Sequence, residues 1–232
     1  MKKELRQRPY FIIGSGRLSG HLQHYFNQLS VPFTTWNRSE STDLLKAKLS
    51  EKPVVLLAIS DSAIVSFFET YLQNHDVKAI HFSGALHDPR LISCHPLMTF
   101  STELYTTEVY KSIQFAITGA TNLQEIFPEL PNLSFVLDEK NKAFYHAWCV
   151  LSAAGTQTLW KSAVSNLATI GVPESAVQVY IQQIAHNFLT HPQSALTGPW
   201  VRNDQQTIAK NLQALIDSPA AKVYEALMKG QL

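Results

Sequence analysis

No run in the sequence approaches the roughly 20 apolar residues that a membrane-spanning helix needs. The opening MKKELRQRPYF also lacks the apolar core and small-residue cleavage site of a secretory signal. A cytoplasmic location is therefore the expectation. Excess charge of either sign is missing too: 19 Lys and Arg stand against 18 Asp and Glu, a formal net charge of +1. That leaves no broad field for nucleic acid or an anionic membrane, so the expected partner is a small molecule. Cysteine is scarce. Cys94 and Cys149 lie far apart and match no paired metal spacing, which favours two plain thiols over a disulfide or a zinc site. His21 and His24, and likewise His186 and His191, have no carboxylate or cysteine to complete a metal set. No metal is expected. Repeats, low-complexity segments and charge runs are absent as well.

What is present is an ordinary soluble balance, 45% hydrophobic and 16% charged residues over 232 positions, enough for one large domain or two small ones. Short apolar runs at 10–13, 33–36, 54–59, 79–82, 113–117 and 133–137 alternate with helical patterns. That order predicts an α/β fold, a Rossmann-type doubly wound and mostly parallel sheet covered on both faces. Past Asp138 the strands stop. One long helix is expected from Asn141 to a close at Gly171, followed by helices in PESAVQVYIQQIAHNFL, DQQTIAKNLQALI and PAAKVYEALMK, with the non-helical HPQSALTGPWVRN between the first two. The division expected is a nucleotide-binding domain of residues 1–138 and an all-α domain of residues 139–232.

The chemistry begins at YFIIGSGRLSGHL. A strand ending at Ile13 and followed by Gly14, Ser15 and Gly16 brings backbone N–H groups to the start of a helix, where unpaired donors and the helix dipole favour a phosphate. Arg17 and Leu18 open that helix. The dinucleotide fingerprint asks for a third glycine three residues after the second; Ser19 holds that place, small enough for close packing of helix on strand. The alternative is a purely structural turn. At the end of the second strand, in TTWNRSE, an NAD site would carry an acid for the ribose. Asn37, Arg38 and Ser39 stand there instead, and an Arg with neighbouring amide and hydroxyl donors suits the 2′-phosphate of NADP. The missing acid also argues against a methyltransferase. Ala58, Ile59 and Ser60 close the third strand and are expected to flank the cofactor, whereas Asp61 is read as the N-cap of the helix after it. The fourth strand breaks at Ser83 and Gly84, where small residues let a nicotinamide and a substrate sit against the backbone.

Taken in order, IIGSGRLSGHL, WNRS, LLAISDSAI, HFSGAL, CHPLMTFS, FYHAW and ALTGPWVRND resemble a family of Rossmann-like oxidoreductases whose C-terminal half is a domain of unknown function. These are relatives of pyrroline-5-carboxylate reductase, ketopantoate reductase and the 6-phosphogluconate dehydrogenase group. The resemblance spans nearly the whole chain. It implies an N-terminal NADP domain, a helical C-terminal domain that forms a homodimer, and an active cleft between them; it supplies no substrate. Two departures stand out. Where the family commonly reads Arg-Gly-Asp this chain has Arg202, Asn203 and Asp204, and an Asn that relatives carry on the long helix is absent near SAAG.

Hydride transfer to a carbonyl or imine needs the reacting carbon held against the nicotinamide, a donor for the developing charge and an anchor for the rest of the substrate. His95 in CHPLMTF and His146 in FYHAW are the candidate proton donors; either can equally be a structural histidine. Arg202, after the turn at Thr197, is a candidate clamp for a carboxylate or phosphate, with a salt bridge or cap beside Asp204 as the alternative. Tyr145 and Ser83 are candidate secondary donors. Phe144, Tyr145, Trp148 and Trp160 recur at near-helical spacing and are read as core or dimer surface, so nucleic-acid binding has no support. The reading is an NADP-dependent reductase of small metabolites. Its rival is a regulatory protein that binds NADP without turnover.

Overall fold

The computed structural model describes residues 8–230, in two compact units, one ending at Thr156 and the other beginning at Gln157. The first unit is built on a seven-stranded sheet in the order β2-β1-β3-β4-β5-β6-β7. Its strands are β1 (Tyr10–Ile13), β2 (Phe33–Trp36), β3 (Val54–Leu57), β4 (Lys78–His81), β5 (Ile92–Pro96), β6 (Phe115–Thr118) and β7 (Ser134–Val136). Helices α1 (Arg17–Gln28), α2 (Thr42–Leu49), α3 (Asp61–Phe67, prolonged by a π-helical turn over Phe68–Leu72), α4 (Thr107–Ser112) and α5 (Lys142–Val150) complete it.

Every residue of β1 and β3 is buried, as strands covered on both faces must be. Alternate side chains part company. Tyr10, Ile12, Val54 and Leu56 join Leu22, Tyr25 and Phe26 of α1 in one core. Phe11, Ile13, Val55 and Leu57 join Leu45 and Leu49 of α2 and Ile64 of α3 in the other. The period of two along the strands thus sorts the runs onto two helical layers.

One strand was not expected. β5 follows β4 in parallel but pairs with it only through Ile80↔Ile92 and His81↔Ser93, so Cys94, His95 and Pro96 project past the end of β4. β6 then runs antiparallel to β5, with Ser93 opposite Thr118, and β7 is parallel to β6. The reversal returns the chain, at Leu137, to the level of Ser93, where Thr118 Oγ1 donates to Leu137 O at 2.7 Å. The side chain of Asp138 caps the short turn Glu139–Asn141, and α5 starts with Lys142 bonded to Ser83, just past β4, and to Ser93 of β5.

The long helix expected from Asn141 is present but not uniform: a π-helical turn, Leu151–Gly155, separates α5 from α6 (Thr156–Ala168). This turn is the SAAG segment. The second unit continues with α7 (Glu174–Thr190), α8 (Gln205–Ala214) and α9 (Ala220–Met228). Asp204 caps α8, its carboxylate accepting from Thr207 N at 3.1 Å and Thr207 Oγ1 at 2.8 Å. Asn203, where the family resembled has glycine, sits at φ 54, a left-handed conformation that Asn tolerates better than most side chains.

Candidate functional site

A cavity of about 1000 Å³ lies in the first unit at the carboxyl ends of β1, β2 and β3, where open α/β sheets bind ligands. One end is the glycine turn. Gly14 has φ 130, and a Cβ on it would drive into the Ala58 carbonyl of the neighbouring strand, so only glycine fits. Ser19 is fully buried and its hydroxyl donates to Gly14 O at 2.8 Å, which explains why a serine can stand in for the third glycine. Gly16 is the N-cap of α1 and offers no side-chain cap, and no acid occupies the first turn. The leading N–H groups of a 12-residue helix therefore face the cavity with their positive dipole end uncompensated. Ser15, Gly16, Arg17 and Leu18 all line it.

The β2 tip forms a second wall. Glu40 Oε2 accepts from both the backbone N and the Nδ2 of Asn37, each at 2.8 Å. Asn37 Oδ1 in turn accepts from Ser39 N at 3.0 Å and Ser39 Oγ at 2.6 Å. The carboxylate nearest the tip is thereby spent on folding the turn. Arg38 is exposed, lines the cavity and has no salt-bridge partner among the described residues. Ser39 lies on the same turn but outside the cavity lining. Trp36, Phe67 and Tyr71 add an aromatic flank, with ring centroids 6.0 Å apart for Trp36 and Phe67 and 4.9 Å for Phe67 and Tyr71.

Ala58, Ile59 and Ser60 form the floor after β3. The expectation that Asp61 caps α3 is corrected. Ser60 holds the cap position, and the Asp61 carboxylate instead accepts the Ser83 hydroxyl at 2.5 Å. A charge-assisted bond to a buried hydroxyl outweighs a solvent-side cap. Ser83 Oγ also accepts from the backbone N of Ala85 and of Leu86, at 3.3 and 3.0 Å, so this hydroxyl is committed to the turn that follows β4.

The two candidate histidines meet across Gly84. A Cβ there would come within 2.5 Å of His146 Cδ2 and 3.0 Å of His95 Cδ2 and Nε2, and the two rings stand edge-on with centroids 5.8 Å apart. Their environments differ. His146 and Val150, on α5, line the cavity together with Met98, Thr99 and Phe100. His95 sits behind them, its Nδ1 2.9 Å from Tyr145 Oη. Burial, then the neighbouring His146 and Lys142, push its pKa down to about 4. Burial also drives the Tyr145 hydroxyl upward. Tyr145 faces a separate, mainly apolar groove of about 600 Å³ with Leu97, Phe144, Trp148 and Cys149. Thr197 and Arg202 belong to the second unit, on the exposed loop between α7 and α8, where Gly198 at φ 95 bends the chain. Among the described residues no group of three or more His, Cys, Asp or Glu is arranged to hold a metal, and no helix is long and apolar enough to cross a membrane.

Sequence reasoning missed Trp36, Phe67, Tyr71 and Val150 as cavity residues, and it missed Lys142. The one-turn spacing of Phe67 and Tyr71 was visible, but it reads equally as core. A lone lysine ahead of FYHAW carries no sign of burial.

Residues 113–230 match the family described as a domain of unknown function, DUF2520. No curated protein matches the sequence. Among solved structures, BF3122 of Bacteroides fragilis, a provisionally assigned NADP oxidoreductase, is 22% identical, with a TM-score of 0.75 over 97% of this chain and 98% of that one. Protein TM1727 of Thermotoga maritima is 19% identical, with a TM-score of 0.71 over 95% of each chain. The pyrroline carboxylate reductase of Plasmodium falciparum, solved with NADP bound, is 12% identical, with a TM-score of 0.59 over 97% of this chain and 98% of that one. At such identities the likeness is one of fold.

Proposed function

The chain belongs to the DUF2520 family, whose match covers half its length, and from that footing we propose that it is an NADP-dependent reductase of a small carbonyl or imine metabolite. The carrying observation is one continuous cavity that starts at a glycine turn and an uncapped helix N-terminus, passes an unpaired Arg38, and reaches His146. The residues present fit the nucleotide: Gly16 lines the cavity with open space where a side chain would otherwise stand, and the leading amides of α1 offer donors to a pyrophosphate. In this reading Gly14 to Leu18 hold the pyrophosphate, Asn37, Arg38 and Ser39 take the 2′-phosphate, and Ala58, Ile59 and Ser60 flank the ring end. When bound, the nicotinamide supplies the hydride. The protein's part is to orient the acceptor near His146 and Gly84 and to exclude water with Met98, Phe100 and Val150. A pyrroline carboxylate reductase and an NADP-oxidoreductase assignment among the fold neighbours support the same class.

Calorimetry tests the cofactor. NADPH should bind more tightly than NADH, and Arg38→Ala should weaken NADPH by about tenfold or more while leaving NADH nearly unchanged, the loss of a charge-assisted phosphate contact being worth about 1.5–3 kcal/mol. Tighter NADH binding would refute the role of Arg38. A panel of keto acids, aldehydes and cyclic imines followed by NADPH absorbance tests turnover, and silence across it would favour an NADP-binding regulator instead. The helical second unit is proposed to form a homodimer.

A further inference from the structure

Lys142 is the only buried lysine or arginine among the described residues, with 1% of its surface exposed. An ammonium taken out of water is costly unless bonded. Here Nζ donates to Ser93 Oγ at 2.6 Å and to Ser83 O at 3.2 Å, and Ser93 Oγ donates to that same carbonyl at 3.2 Å. Burial, the dominant cause, pulls the lysine down to about 8, with Asp61 and Cys94 opposing. Ser83 thus bonds the ammonium through its carbonyl and the Asp61 carboxylate through its hydroxyl. A single serine gathers α3, β4, β5 and α5 to one point. The next residue is Gly84, the contact between the two histidines, and the helix that begins with Lys142 carries both Tyr145 and His146.

We propose that Lys142 is a positioning residue of this site: clamped on the Ser83–Gly84 turn, it fixes the spacing of His95 and His146 about Gly84, and its ammonium adds to burial and to His146 in making His95 a support for His146 instead of an acid. The catalytic consequence rests on the reductase reading, whereas the geometry does not. Groups facing His95 are Lys142, Tyr145 and His146 from α5 and Asp61 from α3; only the carboxylate favours protonation. His81, on the far side of the same turn, behaves alike. Ser83 N donates to its Nδ1 at 3.2 Å, which leaves Nε2 as the protonated nitrogen, buried without a partner among the described residues. Its pKa falls to about 4 through burial first and Lys142 second, against Asp61 and Asp88.

Histidine-labelled full-length protein, titrated by NMR without cofactor, decides the matter. In the unaltered protein His95 is expected to be neutral at pH 6. Lys142→Met should raise the midpoints of His95 and His81 by about one pH unit, and Lys142→Arg, which keeps the charge, should leave them near their original values. Unchanged midpoints in Lys142→Met overturn the proposal. Should that variant fail to fold, Ser93→Ala, which removes the shorter of the two ammonium bonds, decides instead: shifted His95 and His81 midpoints support the proposal and unchanged ones overturn it. NADPH titration of the unaltered sample is read separately. Failure to bind there would refute the cofactor reading and leave the histidine midpoints to judge Lys142.

Discussion

At the scale of single residues, Gly14 and Gly16 look alike in the sequence yet do different work. Gly14 is at φ 130 with the Ala58 backbone against it, and Gly16 has nothing within 4 Å of a built Cβ. Gly14→Ala should therefore destabilise the fold by about 2 kcal/mol or more. Gly16→Ala should cost under about 1 kcal/mol yet weaken NADPH, because the added methyl enters the cavity where a phosphate would approach. Thermal unfolding and NADPH calorimetry on the two variants separate these effects. The glycine turn was legible because its signal is local: a strand, a positive-φ residue and a helix start occupy adjacent positions. Lys142 was not legible. Its burial depends on Ser83 and Ser93, some 59 and 49 positions away, and nothing in its neighbours announces the clamp.

At the scale of elements, six strands were legible from apolar runs to within a residue or two at their ends. β5 was not, because Ile92–Pro96 reads ISCHP, half polar and closed by proline, and draws its hydrogen bonds from neighbours instead of from its own propensity. The ends of β4 and β5 also set a pH response. His81 and His95 have folded pKa values near 4 against an ordinary 6.5, so between those limits the unfolded chain binds more protons. Their contribution is complete above pH 6.5 and is lost as pH falls toward 4, on the order of 3 kcal/mol for fully buried His81 and less for His95. Lys142 adds the opposite edge: its burial cost is relieved as pH rises beyond about 8. Urea unfolding at pH 7.5, 5.5 and 4.5 should show midpoints falling through the acid series, and a flat series would contradict the neutral burial of both imidazoles.

At the scale of the whole molecule, the order of strands followed by helices gave the architecture, and the likeness of fold to BF3122 over nearly the whole chain agrees with it. In the second unit, Ile170, Phe188 and Leu189 are 74, 60 and 80% exposed. Apolar surface of that extent is what a partner copy would cover, and light scattering should return twice the 26.0 kDa chain mass. A monomer would refute the dimer. The staggered β5 and the return through β6 and β7 carry one more implication. A nascent polypeptide released by the ribosome only as far as β4 already owns the glycine turn and the arginine tip, but the wall bearing His146 has not been synthesised. The cavity is therefore finished late in translation, and any stabilisation by the proposed cofactor reaches the protein after its sheet has been laid down.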